Sequence, residues 1–175
     1  LWKQKFQRDP NALKNYGPDI SWHVIRTYIK GYSSGGYIDI EEYEELPRDE
    51  KTVSKETFKT IYEKVWDNWY RGLCEEGDKE INSWDDQDIV RYALDGSHVQ
   101  AQYPAIFCDE AQDFTRIELE FLFRSSIFSE RKITSQELNR VPFVFAGDPF
   151  QTLNPTGFNW DNIKSAFVEK FILSL

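Results

Sequence analysis

The chain has 175 residues, room for one hydrophobic core or a core with an inserted subdomain. At 40% hydrophobic and 29% charged it reads as globular rather than disordered, and 13 Phe, 9 Tyr and 6 Trp predict burial through large rings. A net charge of −9 argues against a free-standing nucleic-acid binder, which usually shows a basic face.

Two cysteines, Cys74 and Cys108, are too few for a disulfide framework or a four-cysteine metal site, and with two His a structural zinc site is not expected. No run approaches the ~18 apolar residues of a membrane span, and no signal-peptide layout opens the chain. The expected location is the cytoplasm, or the nucleus of a eukaryote. The chain contains no Met and starts at Leu1, so it is expected to be a piece of a longer protein.

Residues 1–30 carry six basic side chains against Asp9 and Asp19, a local balance of +4. This is compatible with a phosphate contact, and a solvated face is the preferred reading. Residues 21–30 read as a helix, with Trp22, Ile25, Tyr28 and Ile29 about one turn apart and Gly31 as the stop. Residues 33–36 read as a flexible turn. Residues 39–50 hold seven acids and one base; a solvated acidic face is preferred over a metal site, because hard cations need converging oxygens.

The clearest helix spans 54–73. Phe58, Ile61, Tyr62, Val65, Trp69 and Leu73 follow helical spacing, and Ser54 serves as N-cap. Trp66 and Trp69 could stack on bases, but core packing is preferred. Gly77–Asp78 breaks the pattern. Asp85 or Asp86 then caps a helix through Ile89, Tyr92 and Ala93, stopping near Gly96.

Past residue 100 the pattern changes. Residues 105–108 read as a buried strand ending in Asp109-Glu110, and 115–126 as a helix. Residues 141–146 read as a second buried strand ending in Gly147-Asp148, and 160–171 as a last helix. Strand, helix, strand, helix predicts an α/β fold with a parallel sheet and crossover helices. Ligands of such sheets gather at the carboxyl ends of the strands, where both acidic turns lie.

An apolar strand that delivers two acids at its tip is a Walker B arrangement. Asp109 is placed to hold Mg²⁺, and Glu110 to orient or deprotonate the water that attacks the γ-phosphate. The string Asp109-Glu110-Ala111-Gln112-Asp113 resembles motif II of the UvrD/Rep-like superfamily 1 helicases. About 35 residues on, Gly147-Asp148-Pro149-Phe150-Gln151 resembles their motif III. Trp84-Asp85-Asp86 is similar to an aromatic–Asp–Asp segment found ahead of motif II.

The resemblance implies an ATP-dependent motor that steps 3′-to-5′ on single-stranded nucleic acid, DNA by preference with RNA left open. It implies ATP and Mg²⁺ as cofactors. Asp109 and Glu110 would be the metal-site acids. Glu110 and Gln151 would be catalytic, with Gln151 sensing the γ-phosphate. Gln112 and Asp113 would link nucleotide to motor, and Asp148 would shape the motif III turn. Asp113 could instead cap the helix that begins near Thr115. Residues 101–175 would be part of a RecA-like ATPase domain. Residues 1–100 would be a helical inserted subdomain, able to hold a duplex or a partner protein.

Two features depart from the family pattern. The aromatic stretch that stacks on a base is replaced by a longer one, in which Phe158 or Trp160 could stack and packing is an equal alternative for Trp160. No Gly-x-x-x-x-Gly-Lys-Ser/Thr loop occurs, so the chain alone is expected neither to hydrolyse ATP nor to bind it tightly. A motor within a nuclease or defence assembly, and a non-catalytic scaffold on the same fold, are the alternatives.

Overall fold

The computed structural model describes residues 16–75, 84–96, 98–130, 143–148 and 160. The chain divides into two compact units, Leu1–Ile89 and Val90–Leu175. Among the described residues no helix is long and apolar enough to cross a membrane.

The first unit is helical. Helix α1 (Pro18–His23) starts on a proline, whose fixed φ suits the first helical position, and carries Asp19 in its first turn. It continues as a π-helical stretch, Val24–Lys30, up to Gly31. The helix read over 21–30 is present but starts earlier. A π turn is wider than an α turn, and Val24, Thr27 and Lys30 are buried together with Ile25, Tyr28 and Ile29.

Helix α2 (Ile40–Glu45) opens on a reciprocal cap. Glu42 N donates to Asp39 Oδ1 at 2.8 Å, and Asp39 N donates to Glu42 Oε2 at 2.9 Å. The acidic run is thus partly spent on helix capping. Glu50, at the end of the turn Arg48–Glu50, accepts from Tyr32 Oη at 2.6 Å. Helix α3 (Lys55–Ile61) is capped by Ser54, whose Oγ accepts from Thr57 N at 3.2 Å. It continues through a second π stretch, Tyr62–Tyr70, into α4 (Arg71–Glu75).

Rings fill the core between these helices. Tyr43 stacks on Phe58 at 3.9 Å and meets Tyr28 edge-on at 4.9 Å. Trp66 is fully buried against Tyr37, and Trp69 packs at the margin of the same cluster. The buried tyrosines carry hydroxyls that need partners. Tyr43 Oη donates to Val53 O at 2.8 Å and Tyr28 Oη to Glu50 O at 2.9 Å, pinning the 50–53 segment onto the helices.

Lys30 is the unexpected core residue. Counted from sequence among solvated basic groups, it is fully buried. Its Nζ lies 2.6 Å from both Asp85 Oδ2 and Asp88 Oδ2, and 3.4 Å from Cys74 Sγ. Asp85 caps α5 (Asp86–Asp95) as well: its Oδ1 accepts from Gln87 N at 3.0 Å and Asp88 N at 3.1 Å. Tyr70 Oη donates to Asp85 Oδ2 at 2.9 Å. Burial acts to lower the Lys30 pKa, but the charge and hydrogen bonds of Asp85 and Asp88 outweigh it, and the net shift is upward.

The second unit carries the sheet. Strand β1 (Ile106–Cys108) pairs in parallel with β2 (Phe143–Phe145), in the register Ile106 with Phe143 and Cys108 with Phe145. Between them in sequence lies α6 (Arg116–Ser125), so the strand–helix–strand order and parallel pairing are as read. Phe123 of α6 meets Phe143 and Phe145 edge-on at 5.4 and 5.7 Å. Both strands read as buried from the sequence, and parallel sheets are usually covered on both faces. Ile106 and Cys108 are buried, but Phe107 and Val144, which pair across the other face, are 77% and 50% exposed. Residues 141–142, the break at Gly77–Asp78 and the helix read beyond Trp160 lie outside the described residues.

Alkaline titration tests the Lys30 cluster. Burial is the main cause that pushes the Cys74 thiol up to about 11. The folded chain therefore keeps a proton that the unfolded chain releases near about 8.5. Lys30 contributes fully below its ordinary value and loses its contribution as pH rises through the raised one. Stability measured by urea unfolding is expected to be flat to about pH 8.5 and to fall above it. Cys74→Ala should remove most of the early part of the fall, about 3 kcal/mol by pH 11. Stability constant across that range would contradict the cluster.

Candidate functional site

Parallel pairing sends β1 and β2 out of the sheet at the same end, and the pairing continues past the strands. Ala146 N donates to Cys108 O at 2.8 Å, and Ala111 N donates to Ala146 O at 2.8 Å. The turn Asp109-Glu110 is therefore held beside the turn Gly147-Asp148.

Glu110 occupies the left-handed region, φ 52° and ψ 39°. For a residue with a full side chain this costs about 1–3 kcal/mol and needs support from its surroundings. Glu110 N donates to Asp109 Oδ1 at 3.0 Å, and Asp113 N donates to Glu110 O at 2.9 Å. The second bond closes a 3₁₀ turn, Ala111–Asp113. Asp109 and Glu110 are exposed, whereas Ala111 and Gln112 are fully buried.

A buried amide requires partners at both ends. Gln112 Nε2 donates to Glu110 Oε2 at 2.5 Å, and Gln112 Oε1 accepts from Asp148 N at 3.1 Å. Gly147 makes this possible. A Cβ at Gly147 would overlap Gln112 Oε1 and stand 3.2 Å from the backbone nitrogens of Ala111 and Gln112. The need for glycine here is close approach between two turns.

The structure thus brings Asp109, Glu110, Gln112 and Asp148 together. Asp113 is half-buried at the end of the 3₁₀ turn and does not cap α6. Thr115 takes that position, with Glu118 Oε2 accepting from Thr115 N at 2.6 Å and from its hydroxyl at 2.8 Å. Half-buried Trp160 packs on Leu119 and Phe123. Gln151 and Phe158 lie outside the described residues. Burial, then the charge of Asp109, pushes the Cys108 thiol up, so this cysteine is not a poised nucleophile.

Two adjacent exposed carboxylates at a strand end are hard oxygen donors, suited to a hydrated divalent cation. Among the described residues, Cys74, Asp85 and Asp88 form the one group of three His, Cys, Asp or Glu side chains close enough to share an ion. Its two carboxylates already pair with the Lys30 ammonium. Sequence reading missed this group because 44 to 58 positions separate Lys30 from its partners, with no motif to connect them.

No protein-family model matches the chain, and no match was found among curated proteins or solved structures.

Gly147→Ala is expected to lower unfolding stability by about 1–3 kcal/mol, as for an overpacked core site. Chemical denaturation measures it. A neutral substitution would mean that the two turns do not touch as described.

Proposed function

We propose that the chain supplies part of the ATPase motor of a superfamily 1 DNA helicase or translocase. Residues following β1 and β2 would form the nucleotide-facing edge of a RecA-like sheet. The observation that carries the reading is the juxtaposition of the Asp109-Glu110 turn and the Gly147-Asp148 turn, locked by Gln112.

The donor set fits the proposed cofactors. Asp109 would hold Mg²⁺ of MgATP with a hard carboxylate oxygen, as such ions prefer. Mg²⁺ when bound would neutralise charge on the phosphates. Glu110, exposed beside it, would orient or deprotonate the attacking water. Its left-handed backbone supports an assignment to chemistry, since strain of this kind clusters at functional sites. Gln151 would sense the γ-phosphate, and Asp148 would shape the turn that leads to it. Single-stranded DNA would be the track, with Phe158 or Trp160 as stacking candidates and the helical unit as a surface for duplex or protein.

The test needs a polypeptide that joins this chain to a phosphate-binding loop. There Glu110→Gln is expected to cut DNA-stimulated ATP hydrolysis by about 100-fold or more, the usual scale for a lost general base. ATP affinity should stay within about two-fold, because the loss belongs to the transition state. The 175-residue chain alone should show no turnover. Undiminished hydrolysis in the variant would overturn the reading.

A further inference from the structure

Lys30 and Cys74 meet inside the helical unit although 44 positions separate them in sequence. Lys30 Nζ lies 3.4 Å from Cys74 Sγ, and Asp85 Oδ2 and Asp88 Oδ2 each accept from it at 2.6 Å. The rings of Tyr70 and Trp66 stand 5.5 and 6.0 Å from Nζ and limit its movement. Two atoms about 3–3.5 Å apart are already at the distance from which a bond-forming attack proceeds. A primary amine is thus held at attacking distance from a sulfur, beside two carboxylates able to take its proton. Cys108, the second free cysteine, contacts the carbonyl of Asp109 instead.

We propose that Lys30 and Cys74 form an oxidative crosslinking site, at which hydrogen peroxide joins the two side chains through a nitrogen–sulfur bond. In the first step peroxide transfers one oxygen to Cys74 Sγ. The thiol becomes a sulfenic acid and the peroxide is reduced to water. A sulfenic sulfur is electrophilic and condenses with nitrogen. Lys30 passes one proton to Asp85 or Asp88, both hydrogen-bonded to it, and the freed lone pair attacks Sγ. The N–S bond forms, the S–O bond breaks, and hydroxide leaves as water with a second amine proton. One thiol, one ammonium and one peroxide give one sulfenamide, two waters and one proton, which the carboxylate keeps. The net charge of the cluster is the same before and after, so no new charge is stranded in the core. Burial holds Cys74 as the thiol and slows the first step, which quickens toward alkaline pH as thiolate forms. Peroxide has access beside Asp85, whose side chain is 13% exposed. The product fastens the Val24–Lys30 stretch to α4, a covalent lock that a thiol reductant opens.

Mass spectrometry of the Cys108→Ala chain tests it, since that substitution removes a disulfide between the two cysteines as a competing product. Hydrogen peroxide at about pH 9, where some thiolate is present, is expected to give a chain lighter by two hydrogens. Lys30 should resist trypsin, and its peptide should be joined to that of Cys74. Dithiothreitol should restore both. Unfolding the chain in urea before treatment should cut the linked yield about ten-fold or more, because proximity is lost. Lys30→Arg keeps the positive charge and removes the amine, so it should yield Cys74 sulfinic acid and no link. The urea comparison carries the test if that variant fails to fold. Cys74 recovered as sulfinic or sulfonic acid with Lys30 unjoined would overturn the proposal. So would a Cys74 thiol that survives treatment in the folded chain, or an equal linked yield in urea. ATP hydrolysis does not enter the experiment, so its outcome is separate from that of the motor reading.

Discussion

The parallel pairing of β1 with β2 is the constraint on which the site depends. Three residue pairs set the register, from Ile106 with Phe143 to Cys108 with Phe145. Two further backbone bonds carry the pairing beyond the strands. Antiparallel pairing would have put the acidic turns at opposite ends of the sheet. Parallel pairing puts them together and leaves short, polar turns to be organised by side chains. Gln112 does that work, and Gly147 gives it room.

The strain at Glu110 follows from the same constraint. The chain must leave β1, present two acids to water and turn back into a 3₁₀ turn within a few residues. A left-handed residue is a compact way to reverse it, and glycine would do so at less cost. Glutamate in that position keeps a carboxylate where a glycine would leave none. This is a local rule broken at the position where chemistry is proposed, which is where such breaks are expected.

Much of this was legible in the sequence. An apolar run that ends in acids gave both strands, and strand–helix–strand order gave the parallel sheet. Ser54, Gly31 and Asp85 were readable as caps and stops. The cap of α6 is legible too: Thr115-Arg116-Ile117-Glu118 is a capping-box pattern, and Thr115 rather than Asp113 caps the helix. Other features had no local signal. A π turn shifts which side chains face inward, and regular 3.6-residue spacing does not anticipate it. Lys30 pairs with acids more than 50 positions away, so its burial could be read only from the fold. Gly147 shows its purpose only against Gln112, 35 residues earlier. The net charge of −9 now reads differently as well. Part of it caps helices, part neutralises a buried lysine, and a small part faces water at the end of the sheet.

Paramagnetic Mn²⁺, which takes oxygen ligands as Mg²⁺ does, tests most directly whether that end of the sheet is one cation site. Traces of Mn²⁺ added to the ¹⁵N-labelled chain are expected to broaden the backbone signals of Asp109 to Gln112 and of Gly147 and Asp148 together. Signals from α2, another exposed acidic segment, should respond later, and Asp109→Asn should abolish the early broadening. Broadening centred on α2, or unchanged in the Asp109→Asn chain, would contradict a shared site at the strand ends.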